Sequence, residues 1–137
     1  MAKIVKPLKD TYFIDDKVID AIILQAPVDA LITLLPGGNN QFMEGLYFHF
    51  DINLNSKRGE KYKAAIWDWQ GDRSTCCRKE CVSDAPGLAI RNLVGWYIKE
   101  YVPSLEIDNY IRNDCDRKKW DDLMYIRNAL ESLRIYV

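Results

Sequence analysis

The sequence predicts an α+β fold: a two-layer helix/antiparallel-sheet sandwich with a β-hairpin at its centre and C-terminal helices. Three observations carry the prediction. Apolar and polar residues alternate strictly through "LYFHFDINL"; a second β-rich run, "KYKAAIWDWQ", follows a turn-rich spacer; and apolar residues recur at helical spacing before and after that pair.

The first element is a helix in "DDKVIDAIILQ". Asp15 or Asp16 supplies an N-cap oxygen, and Val18, Ile19, Ile22 and Ile23 form one stripe. Pro27 then interrupts the pattern. Proline fits a first turn but not a helix interior, so "APVDALITLL" is either a second short helix or the far side of a kink, ending before Pro36-Gly37-Gly38. In the next segment Leu46, Phe48, Phe50, Ile52 and Leu54 share one strand face, with Tyr47, His49, Asp51 and Asn53 on the other, and Phe50 is placed inward. The spacer "NSKRGE" joins this strand to its antiparallel partner through a basic tip. On the partner, Tyr62, Ala64 and Ile66 suit one buried face, and Ala65, Trp67 and Trp69 suit the other. Either a helix covers that second face, or Trp67 and Trp69 join Tyr47 and His49 as an exposed aromatic floor.

Three of the four cysteines fall within "STCCRKECVSD", read as a loop. The spacing of Cys76, Cys77 and Cys81 departs from the C-x2-C knuckle of tetrahedral zinc sites, although Cys115 or His49 would extend the ligand set. Arg73, Arg78 and Lys79 would favour thiolates there. The reading preferred is a solvated basic loop with free thiols and no bound cofactor. A disulfide staple is set aside because the chain is expected in a reducing compartment.

After this loop, Ser83 or Asp84 caps a helix that opens with Pro86 and runs through "GLAIRNLVGWYIKEYV". Together, "DAPGLAIRNLV", the tryptophan-bearing "YKAAIWDW" and the early "VDALITLL" resemble the phage ABA sandwich domains and related small phage proteins, over residues 17–101. Those domains set a helix and a short antiparallel sheet before a closing helix that opens with an alanine-proline-leucine-alanine motif. Here the motif is Ala85, Pro86, Leu88 and Ala89, with Gly87 inserted. The resemblance implies a phage or prophage accessory protein and transfers no catalytic residue. The cysteine segment and the tail from Pro103 lie outside its pattern. In that tail Trp120, Leu123, Met124, Ile126, Leu130 and Leu133 form an amphipathic helix. Its apolar face docks on its own sheet or pairs with a second copy. The chain therefore reads as one domain, 1–137, with a helix-hairpin-helix core over 17–101 and a helical extension over 103–137.

Charge and motifs narrow the function. Nineteen Lys and Arg against twenty Asp and Glu give a net charge of -1, which supplies no global field for a polyanion. No run is apolar enough to cross a bilayer, and the N-terminus lacks a secretory h-region, so the expected location is the bacterial host cytoplasm. The sequence holds no nucleophile elbow, zincin motif or phosphate loop. A thiolate pair of Cys76 or Cys77 with His49 lacks a recognisable orienting acid, and Asp68, Asp72 and Asp84 read as strand-end, turn and cap residues. The chain is read as noncatalytic.

Basic side chains do gather, at Lys57, Arg58, Lys61 and Lys63 and again at Arg73, Arg78 and Lys79. If both clusters lie at one end of the sheet, they make a cationic pocket beside Trp67 and Trp69, suited to a small phosphorylated ligand or an acidic protein surface. The function expected is an accessory binding protein that blocks a host defence protein or sequesters a nucleotide-like ligand. The alternatives are a cysteine-dependent metal protein and a nucleic-acid binder of the double-stranded-RNA type.

Overall fold

Helix α1 spans Asp16–Gln25, and its start follows from Asp15, whose carboxylate accepts the Lys17 N–H at 2.8 Å. It stops because proline follows. Ala26 is forced into extended backbone (φ -69°, ψ 147°), and Pro27 then opens a separate helix, α2, at Val28–Ile32. The alternatives left open at Pro27 thus resolve into two helices. The computed structural model describes residues 5–7, 15–37, 46–69, 75–102, 106–108 and 114–137.

The predicted hairpin is present as β2 (Leu46–Ile52) and β3 (Tyr62–Trp69), antiparallel, with Phe48 opposite Ile66 and Phe50 opposite Ala64. Its tip is built from two successive turns, Ser56 N–H to the Asn53 carbonyl and Glu60 N–H to the Lys57 carbonyl, each 3.0 Å. A third strand, β4, covers Thr75–Ser83 and pairs antiparallel with β3, so the sheet order is β2-β3-β4. This corrects the expectation of a cysteine loop. The segment pairs through its backbone, and a bulge between Ile66 and Trp67 accommodates the extra residue Arg78, whose guanidinium turns onto the Asp68 carboxylate (Nε to Oδ2 3.1 Å).

Helix α3 (Pro86–Trp96) begins with proline at its first position, as expected, but its approach differs from the simple cap foreseen. Ser83 Oγ accepts the Ala85 N–H at 3.0 Å, while Asp84 reaches instead to the tip of the hairpin, where Gly59 N–H donates to it at 2.7 Å. The inserted Gly87 is not demanded by space, since a Cβ there would sit 3.5 Å from Val28. The three-stranded sheet packs against helices in an α+β arrangement. Its core combines Ala64, Ala65 and Ile66 of the central strand with Leu31, Leu34 and Leu35 and with Ala89, Ile90, Leu93 and Val94 of α3. Three consecutive buried residues on β3 mean that both faces of the centre are covered.

The chain divides into two compact units: Pro27–Gly95, just described, and a second formed by Met1–Ala26 with Trp96–Val137. In the second unit β1 (Val5–Pro7) pairs antiparallel with β5 (Glu106–Asp108), a ladder the sequence did not announce. Tyr97–Tyr101 form a π-helical turn, with Tyr101 tilted against Trp96 (5.3 Å) and stacked on Tyr97 (5.7 Å). Helix α4 (Asp114–Ser132) runs into a 3₁₀ turn at Leu133–Tyr136 that packs on α1. Leu123, Ile126 and Leu130, central to the predicted stripe, are fully buried within the single chain. A homo-oligomer through that stripe would have to expose them; among the described residues of this segment the exposed large apolar side chains are Tyr125, Ile135, Tyr136 and Val137.

One ion pair in this unit links α1 to the π turn: Lys99 Nζ donates to Asp20 Oδ1 at 2.6 Å. The hydrogen bond to Asp20 raises the Lys99 pKa above its ordinary value. A raised pKa adds stability that is complete below the ordinary lysine range, near pH 10.4, and is lost as pH climbs through the higher folded value. Because both groups are largely exposed, Lys99→Met should cost only about 0.5 kcal/mol at neutral pH. The stability difference between the two proteins should shrink as pH rises through the raised Lys99 pKa, and an offset that stays constant through the alkaline range would refute the assignment.

Candidate functional site

The strand connectivity decides where the predicted site residues fall. In a three-stranded antiparallel meander the β2–β3 tip and the β3–β4 connection lie at opposite ends of the sheet. Lys57, Arg58, Lys61 and Lys63 therefore sit at one end, and Trp67, Trp69 and Arg78 at the other. Lys63 and Trp67 are separated by about 13 Å along β3. The single cationic pocket beside the tryptophans does not form. Lys79 is placed between the two clusters, opposite Ile66. Arg73 lies outside the described residues, and for Trp69, Cys76 and Cys115 only the backbone position is described.

At the tip end the sheet carries a groove of about 480 Å³. Its floor comes from three strands: Asp51 of β2, Lys63 of β3, which lies opposite it, and Glu80 and Val82 of β4. Ile52, Asn53, Ser56, Glu60 and Lys61 complete the wall from the tip. Three carboxylates face two lysines, and Lys63 is already engaged by Glu80 at 3.6 Å. The groove is thus mixed in charge with an acidic surplus rather than cationic. Two aliphatic side chains of its lining stand in solvent, Ile52 (61% exposed) and Val82 (40%), and Leu54, beyond the end of β2, is also exposed (65%). Their exposure departs from the alternation reading, which set Ile52 and Leu54 on the inward face. The sheet runs out at the tip: Ile52 is the last residue of β2, and Leu54 lies beyond it. No family model, curated protein or solved structure matches the chain.

The far end is built differently. Tyr47 and Trp67 are directly opposite on β2 and β3 and half-buried, and His49 follows on the same face. His49 is taken by Asp51, Nε2 to Oδ1 at 2.9 Å, rather than by a cysteine. Cys77 lies opposite Trp67 on β4, two strands away from His49 and two residues along, so about 12 Å separates their backbones. The thiolate–imidazole pair considered from sequence is not assembled.

The thiols are also spread apart. Neither Cys77 nor Cys81 is in a disulfide, and the first is exposed and the second partly buried. Their partners Trp67 and Ala64 are an odd number of residues apart, so the two cysteines fall on opposite faces of the sheet and cannot bind one ion together. Among the described residues no three His, Cys, Asp or Glu side chains gather as a metal-binding group. Burial pushes the Cys81 thiol up, aided by Glu80, and outweighs the opposing pull of Lys79. For this cysteine the expectation that basic neighbours would favour thiolate is reversed by desolvation. Among the described residues no helix is long and apolar enough to cross a membrane.

Proposed function

We propose that the chain is a noncatalytic accessory binding protein that acts by occupying a host protein through the hairpin end of its sheet. The observation that supports this most is that two side chains lining the mixed-charge groove, Ile52 and Val82, are aliphatic and exposed. Exposed aliphatic side chains beside charged ones offer a protein partner apolar area to bury and polar groups to pair. Of the two ligand classes considered from sequence, the arrangement favours a protein over a nucleotide-like molecule. A nucleotide needs aromatic stacking and cationic phosphate contacts together, whereas here Trp67 and the tip lysines are about 13 Å apart. The phage or prophage origin, and a host defence protein as the target, rest on the resemblance of "DAPGLAIRNLV" and its flanking elements to phage ABA sandwich domains. The bacterial cytoplasm as the place of action belongs to the same reading.

The test compares the chain with an Ile52→Asp, Leu54→Asp variant, each isolated from a bacterial host under native conditions and weighed intact by mass spectrometry. The expected result is a co-purifying protein that the variant loses. The variant's thermal stability should stay within about 0.5 kcal/mol, because both sites are exposed. A retained small phosphorylated molecule, or a protein partner held equally by the variant, would overturn the reading.

A further inference from the structure

The two edges of the three-stranded sheet are not equivalent. On β2 the outward N–H of Phe48 is taken by the Pro36 carbonyl at 2.9 Å, so a neighbouring segment covers that edge. On β4 the backbone from Lys79 to Val82 makes no hydrogen bond outside its ladder with β3 among the described residues. In an antiparallel edge strand every second residue turns both its N–H and its C=O outward, and such groups accept another strand. This open stretch is bounded on one side by the bulge at Arg78, whose side chain is held by Asp68, and on the other by the turn at Asp84 tied to Gly59.

We propose that the β4 edge from Lys79 to Val82 receives an extended strand of a partner protein, and that this strand carries an arginine or lysine opposite Glu80. The proposal rests on the hairpin-end reading above and names the form in which the partner docks. A residue directly opposite Glu80 on an added strand shares Glu80's face of the sheet, which is the face of the groove. A basic side chain at that position lays its stem along Val82 and brings its charge to Glu80, on a groove whose carboxylates outnumber its lysines. Strand addition of this kind takes affinity from main-chain hydrogen bonds and selectivity from alternate side chains. Charge also opposes three registers of the simplest competitor, a second copy. A second copy pairing antiparallel about a twofold at Arg78, Lys79 or Glu80 would set like charges against each other.

The test titrates the full chain with an end-capped hexapeptide of alternating threonine and valine containing one central arginine, and follows amide exchange by NMR. The expected result is that exchange at the edge amides within Lys79–Val82 slows at least about tenfold on saturation. The same peptide with glutamate for arginine should bind about tenfold more weakly, and one N-methylated at alternate residues should not bind. Glu80→Lys should reverse the preference between the arginine and glutamate peptides. Unchanged exchange at Lys79–Val82, or equal binding of the N-methylated peptide, would overturn the proposal. So would a chain that self-associates with those amides already protected, which would assign the edge to a second copy. The two readings fail separately. A partner lost in the Ile52→Asp, Leu54→Asp variant with no peptide response at β4 sinks the edge alone. A peptide response at β4 with a partner retained by that variant supports the edge and sinks the hairpin patch.

Discussion

Ile66→Asp is expected to abolish the fold of the sheet unit. Ile66 lies on the central strand, 1% exposed, opposite Phe48 on one side and Lys79 on the other. Its neighbours Ala64 and Ala65 are equally buried, so an aspartate here has no route to water. A buried carboxylate without a partner must either remain charged in an apolar setting or take up a proton, and both are costly. The loss should exceed about 4 kcal/mol, which is most of the stability a small domain possesses. The purified variant should show no cooperative melt and no dispersed amide signals for β2, β3 and β4. Ile66→Val, which removes one methyl group, should cost only about 1 kcal/mol and keep the spectrum. A cooperative melt for Ile66→Asp near that of the parent would mean that the centre of the sheet is not where the structure puts it. Signals of α4 in the same spectrum report separately whether the second unit survives.

The choice of Ile66 over Phe50 reflects what could be read from the residues. Alternation assigned the faces of β2, and the ring stacking of Phe50 on Phe48 (6.4 Å) and Tyr62 (6.2 Å) puts the three on one face. It did not give depth. β2 is an outer strand and Phe50 remains partly exposed, whereas β3 is central and buries three residues in a row. Strand order, a tertiary property, sets that difference. The helix boundaries at Asp15, Pro27 and Pro86 were legible because capping and proline chemistry are local. β4 was not, because "TCCRKECVS" shows no apolar alternation: an edge strand rich in charge is stabilised by its ladder and protected from self-pairing by the same charges. Missing β4 misplaced the candidate site as well. With two strands the basic segments have no fixed relation, and only the third strand forces the tip and the β3–β4 connection to opposite ends. The β1–β5 ladder, three residues on each strand and about 100 residues apart in sequence, leaves no local pattern at all.

Gly37→Ala is the second large effect expected, and its cause lies in the covered edge of β2. Gly37 has φ +73°, a conformation that costs an alanine about 1 kcal/mol by itself. A Cβ at this position would also approach the Cα and Cβ of Tyr47 to 2.8 Å and the Leu46 carbonyl oxygen to 3.3 Å. The obstacle is mainly strand backbone, which cannot swing aside as a flexible side chain can. Relief requires Pro36–Gly37 to move away from β2, and that movement breaks the Pro36 carbonyl bond to Phe48 N–H. Together these should cost about 3 kcal/mol, read as a lower denaturant midpoint with an unchanged slope and as faster exchange of the Phe48 amide. Gly59 provides the control. Its φ of +89° carries similar strain, but a Cβ there would meet nothing within 4 Å. Gly59→Ala should therefore cost only about 1 kcal/mol, and the difference between the two variants isolates the contact with Tyr47. Equal losses would show that the close approach of the loop to β2 is not part of the fold. Retained Phe48 protection in Gly37→Ala would show that the edge closes without it.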